Sequence, residues 1–191
     1  DDATIPAALQ ALKQEVQRRI TECATQGRGL ISSSLYDAGA WFSTGLGDQH
    51  SHDAQIGFFA CGYNTDLWSG CLRVDTDQYF DDASRRLAVD AQSMIVLANP
   101  VQPHSEGEIV LESADPADHP VIRMNYFGDP HDMKVMLAVM RRVLDVVAHW
   151  PAHRTIGPLL IPPFLARKHG YTEGAVPTDA LLEDLALHYS W

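Results

Sequence analysis

A proline-capped apolar helix, signalled by Asp129-Pro130-His131-Asp132, constrains this chain more than any other stretch. Asp129 can serve as N-cap, Pro130 suits the first helical position where its missing N–H costs nothing, and Asp132 puts negative charge in the first turn. Met133, Met136, Leu137, Met140, Leu144 and Val147 then recur at three- and four-residue spacing, and Val135, Val139, Val143 and Val146 widen the stripe. A stripe that broad predicts a mostly buried helix running to about Trp150. Methionines at helical spacing read as core filler here, not as a cofactor box.

Such a helix needs a partner layer, and the residues before it supply strand signals. Asn99-Pro100 and Pro103-His104-Ser105-Glu106-Gly107 end an apolar run, because proline removes a ladder donor and biases the residue before it away from helix. Glu108 to Glu112 follows, with Ile109 and Leu111 on one face as in a half-buried strand. Ser113 to Pro120 is loop-like, and Val121-Ile122-Arg123-Met124 is a second strand, close enough to pair with the first.

With 191 residues, 46% hydrophobic and 20% charged, the chain can bury a core as one domain, 1–191, with 1–28 as an N-terminal helix and connection. A formal net charge of −11, with no cluster of Lys or Arg, argues against nucleic acid or an anionic membrane as partner. No apolar run reaches the roughly 18 residues of a membrane span, and no signal-peptide pattern opens the chain. The opening Asp1-Asp2-Ala3 has the look of a processed, excised or tagged start. Cys23, Cys61 and Cys71 form no CxxC pair, so reduced thiols and a cytoplasmic location are expected.

Along the chain, Leu9, Leu12, Val16 and Ile20 mark an amphipathic helix ended by Gly27-Arg28-Gly29. Leu30 to Thr44 holds a strand ending near Trp41-Phe42, and Gly45 to Asp53 is a loop. Ala54 to Ala60 alternates, with Gln55, Gly57 and Phe59 on one side and Ile56 and Phe58 on the other. A glycine between an amide and an aromatic leaves space on that side. Cys61 to Asp82 has no periodicity and reads as an irregular excursion around Trp68, and Leu87 to Leu97 as a strand centred on Ser93 to Leu97. Pro158, Pro162, Pro163 and Gly170 break the chain after the long helix, and Thr178 caps a last helix through Leu181, Leu182, Leu185 and Leu187. Strands in the middle with helices around them give an α+β fold, a largely antiparallel or mixed sheet with helices packed on one side.

The chain lacks GxGxxG, GxxxxGK[ST], GxSxG and HExxH, so the signatures of dinucleotide binding, phosphate cradling, elbow-serine hydrolysis and zincin chemistry are missing. Asp48, His50, His52 and Asp53 could chelate a metal, but their loop composition favours a solvated segment, and no metal site is assigned. His149 and His153 stand four apart, yet Pro151 spoils their common helical face. Trp41, Phe42, Phe58, Phe59, Trp68 and Tyr79 include enough aromatic surface to line a small-ligand wall.

Three runs carry a family resemblance: Pro103-His104-Ser105-Glu106-Gly107, Ser113-Ala114-Asp115-Pro116-Ala117-Asp118-His119-Pro120-Val121-Ile122, and Asn125-Tyr126-Phe127-Gly128-Asp129-Pro130-His131-Asp132. In this order they resemble the substrate-binding part of the glucose-methanol-choline (GMC) flavoprotein oxidoreductases. His104 and Glu106 stand where that family often has basic residues. Ala38-Gly39-Ala40-Trp41-Phe42 is similar to the family's E-A-G-A-F segment, His52-Asp53-Ala54-Gln55 to its P-D-x-Q strand entry, and Ala180 to Trp191 to the helix before its T-V-x-H-P-x-G-T motif.

The resemblance implies a fragment of a two-domain flavoprotein. The sheet would roof the flavin, with Gln55, Gly57, Phe59, Trp68 and Phe42 as substrate-binding candidates. It further implies FAD, bound mainly by an FAD-binding domain outside this chain, and a small alcohol-type substrate oxidised by hydride transfer to the flavin. The catalytic histidine motif lies outside the matched residues, so no catalytic residue is assigned in this chain. Alternatives are a GMC-fold lyase, a stand-alone small-ligand binding domain, and a metal-dependent protein using His50 and His52.

Overall fold

The computed structural model describes residues 7–28, 36, 38–48, 50–59, 94–151 and 156–189. The chain divides into two compact units, Asp1–Asp37 and Ala38–Trp191.

The first unit contains helix α1, Ala7–Gln26. Its polar side is braced by Glu15, which accepts from Arg18 and Arg19 one turn on, at 2.7 Å each. Hydrogen bonds from Arg18 and then Arg19 pull the Glu15 carboxyl down to about 2. On its apolar side Val16 and Ile20 remain exposed.

The second unit holds a three-stranded antiparallel sheet in the order β1 (Ala38–Phe42), β2 (Ala54–Phe59), β3 (Ile95–Pro100). A separate antiparallel pair joins β4 (Glu108–Val110) to β5 (Val121–Arg123). Helices α2 (Pro130–His149), α3 (Pro163–His169) and α4 (Asp179–Tyr189) follow. The α+β reading and the antiparallel pairing therefore hold. The segments 60–93 and 152–155, with Trp68 and the irregular excursion, lie outside the described residues.

The register divides the larger sheet into two faces. Ala54 pairs with Phe42 and Pro100, and Ile56 with Ala40 and Ala98. These residues face α2, where Ala54, Val135 and Val139 form the buried centre and Phe42, Ile56 and Ala98 pack around it. The helix lies on one side of the sheet, as its apolar stripe requires.

Several sequence expectations are corrected. The strand read as ending before Asn99-Pro100 continues through both residues, and among the described residues β3 lies at the sheet edge, where a proline without an N–H is tolerated. The prolines at 162 and 163 do not break the chain but begin α3, with Pro163 at the first helical position. Gly170, at φ 60°, then closes α3 in the left-handed conformation, its N–H and that of Tyr171 reaching back to Ala166 O. Burial of α2 is concentrated in its first half, at Asp132, Val135, Met136 and Val139, and Val146 is exposed. Ile109 and Leu111 face solvent at 69% and 81% exposure, so the apolar side of β4 is the outer one.

A second core lies between α3 and α4, where Leu165, Leu181, Leu182 and Pro162 are fully enclosed. Arg141 ties α2 to the start of α4 through Asp179 at 2.5 Å and Pro177 O at 2.8 Å. Lys168 and His169 at the end of α3 meet Asp184 of α4 at 2.5 and 2.6 Å. The Lys168 hydrogen bond first, then that of His169, holds the Asp184 carboxyl below its ordinary value.

Candidate functional site

The face of the sheet away from α2 carries three of the expected site residues. Gln55, Gly57 and Phe59 alternate with the α2-facing residues of β2, and the register sets Gln55 between Trp41 and Asn99, Gly57 between Gly39 and Leu97, and Phe59 beside Ile95. Each row is about 7 Å from the next, two residues along the strand. Trp41 is 56% exposed and Gly57 is buried. The face thus groups two side-chain amides, an indole and a glycine pair beside aromatic and aliphatic carbon. Amides of this kind can orient a hydroxyl, and the ring and hydrocarbon surfaces can hold its apolar body.

Phe42 does not join this group. It ends β1 on the α2 side, packs against the Val135 and Val139 core, and lies under the Arg142 guanidinium at 5.9 Å from ring centroid to Cζ. Trp41, read from the sequence only as part of an aromatic wall, stands beside Gln55, and Asn99 and Gly39, which the sequence candidates omitted, stand beside Gln55 and Gly57. The signal available for Trp41 and Gly39 was the alternation of AGAWF; that for Asn99 was obscured because Asn99-Pro100 read as a terminator.

The metal-site residues disperse. Asp53 is buried and accepts from Thr44 N at 2.7 Å and from the Thr44 hydroxyl, while its own carbonyl accepts from Val101 N at 2.9 Å. Burial works against its charge, but the Thr44 hydroxyl and the amides of Thr44 and Gly47 outweigh it and keep the carboxyl below the usual range. Its carboxylate is committed to joining the end of β1 to the start of β2. Asp48 accepts from His50 N at 3.0 Å in a local turn. Among the described residues no three metal-binding side chains gather at one point.

Two of the three runs that resembled a family signature, 103–107 and 125–132, are assembled into one bonded knot. Asp132, buried in the first turn of α2, accepts from His104 N at 2.7 Å, Ser105 N at 2.9 Å and the Ser105 hydroxyl. Ser105 Oγ accepts in turn from Asp129 N at 2.9 Å, and Asp129 caps the helix through His131 N at 2.8 Å. The His104 and His131 rings stack at 4.0 Å, 8° from parallel. Burial opposes the charge on Asp132, yet the Ser105 hydroxyl and the two amides prevail and its carboxyl stays below the ordinary value.

Asn125, at φ 51°, donates its side-chain amide to Glu106 O at 2.9 Å and closes a turn with Gly128 N at 3.1 Å. A Cβ on Gly107 would sit 2.5 Å from Arg123 O and 2.7 Å from Met124 O, so only glycine lets β4 start against the end of β5. Gly107→Ala is accordingly expected to lower stability by about 1–3 kcal/mol, the range of overpacking. Urea unfolding of the two proteins measures it, and equal midpoints would refute the close approach.

The profile of the GMC oxidoreductase family matches residues 103–182, the stretch that contains this knot. Over that stretch the chain is similar to the GMC oxidoreductases. It is also 40% identical over 60 residues to an alcohol dehydrogenase [acceptor] of Pseudomonas putida, a match covering 31% of this chain and 11% of that protein. The chain thus spans about a tenth of the length of the curated relative it matches.

The GMC match raises the question of whether these residues suit FAD. Among the described residues all strand pairs are antiparallel, and the sequence offers no glycine-rich loop entering a helix. A dinucleotide pyrophosphate is ordinarily cradled by such a loop at the helix N-terminus of a βαβ unit. The described residues do not fit the dinucleotide part of FAD. No helix here is long and apolar enough to cross a membrane, among the described residues.

Proposed function

We propose that this chain supplies the substrate-facing sheet of an FAD-dependent enzyme that oxidises a CH–OH group by hydride transfer to the flavin. The observation that carries this reading is the two-sided sheet: one face closed by α2, the other presenting Gln55, Asn99, Trp41 and Phe59 around the Gly39–Gly57 pair. The GMC match and the alcohol dehydrogenase named above support the chemistry. The flavin would be held by an FAD-binding domain of the same protein, and the substrate is a small alcohol. Gln55 and Asn99 orient the hydroxyl, and Trp41 and Phe59 exclude water beside it.

The test is the full-length protein that contains this chain. It should purify with flavin absorbance that an alcohol bleaches in the absence of oxygen. Gln55→Ala should keep the flavin and lower kcat/KM for that alcohol about tenfold, the worth of one hydrogen bond to substrate. Full-length protein without flavin, or a Gln55→Ala variant with wild-type kcat/KM, would reject the assignment.

A further inference from the structure

A groove of about 340 Å³ runs between the end of β1 and the middle of α2, lined by Phe42, Ser43, Thr44, Ala138, Arg141, Arg142 and Asp145. Its volume is at the lower end of the range for small-molecule sites. Most of its polar groups are already committed. Arg141 gives Nε and Nη2 to Asp179 and Nη1 to Pro177 O. The Thr44 hydroxyl donates to Asp53 and accepts from Leu46 N.

Arg142 differs. Among the described residues its one ion pair, to Asp145, is long at 3.5 Å, and its guanidinium is held over the Phe42 ring. Ser43 Oγ accepts from Gly45 N at 3.2 Å, which leaves the hydroxyl proton to donate. In a chain of net charge −11, this groove keeps a positioned cation and a hydroxyl donor beside aromatic and methyl carbon.

We infer that this groove binds a small monocarboxylate with a short hydrocarbon body. The carboxylate takes a paired contact from Arg142 and a hydrogen bond from Ser43, and its hydrocarbon lies on Phe42 and Ala138. Asp145 at the rim selects a single negative charge, because a dianion such as phosphate would meet its carboxylate at close range. Asp145 also competes for Arg142, so its removal should tighten binding. The site does not depend on the flavin reading, since it lies on the α2 side of the sheet.

The experiment is an amide NMR titration of the 191-residue chain with butyrate, using 1-butanol as the uncharged analogue and inorganic phosphate as the dianion. Butyrate should shift Ser43 and Ala138 saturably, and 1-butanol and phosphate should bind at least about tenfold more weakly, as expected when a charge-assisted contact is lost or opposed. Arg142→Gln should weaken butyrate by about the same factor, and Asp145→Asn should strengthen it. Both side chains are exposed, so the folded spectra of the variants should match the parent outside the groove. Non-saturating shifts, equal response to all three probes, or an affinity untouched by Arg142→Gln would overturn the site.

Discussion

Asp132→Ala is expected to cost about 3–4 kcal/mol of stability, because a buried charged acceptor vanishes and its donors stay behind. The amides of His104 and Ser105 and the Ser105 hydroxyl lose their acceptor together, and the first turn of α2 loses its negative charge. Urea unfolding followed by circular dichroism measures this. Asp132→Asn, which keeps one oxygen acceptor, should lose less. The pH dependence has a fixed sign. The folded carboxyl lies below the ordinary value of 3.8, so its contribution is complete above that value and disappears as pH falls through the depressed folded one. Asp53 behaves in the same direction. The acid limb of the stability curve should therefore flatten in Asp132→Ala, and an unchanged limb would show that the carboxylate is not what holds the turn.

Leu182→Ala should cost about 3 kcal/mol, a transfer loss plus the cavity left between α3 and α4. Leu182 is 1% exposed, as buried as Leu165 and Leu181, so truncating it leaves an enclosed void. For a unit of this size the melting temperature should fall by roughly 6–12 °C. Scanning calorimetry decides it. Leu187, on the same helix but exposed, is the internal control and should shift the transition little. Equal effects at the two positions would mean that α4 does not pack as described.

The sequence was most readable where local chemistry and packing agree. Asp129, Pro130 and the stripe from Met133 foretell α2 because cap, first-turn charge and apolar period coincide. The hairpin of β4 and β5 was likewise visible from its turn residues. Harder to read was anything decided by a partner strand. Pro100 reads as a stop until its pairing with Ala54 places it inside β3, and Pro163 reads as a break until it proves to be a helix start. Phe42 and Phe59 are chemically alike in the sequence, and only the register with β2 sends them to opposite sides of the sheet. Asp132 was legible as a helix-start charge, but its grip on His104 and Ser105 joins residues far apart in the chain, which periodicity cannot report.

The outer side of the β4–β5 hairpin, where Ile109 stands opposite Ile122 with Leu111 and Met124 exposed nearby, sets how this polypeptide behaves in a tube. Carbon surface of that kind clings to detergent, plastic and its own copies. What keeps molecules apart is the net charge of −11, and that repulsion reaches only about 10 Å in ordinary saline and less in concentrated salt. Low-salt buffer at neutral or alkaline pH is thus the natural storage condition, and salting-out is the step in a purification where losses concentrate.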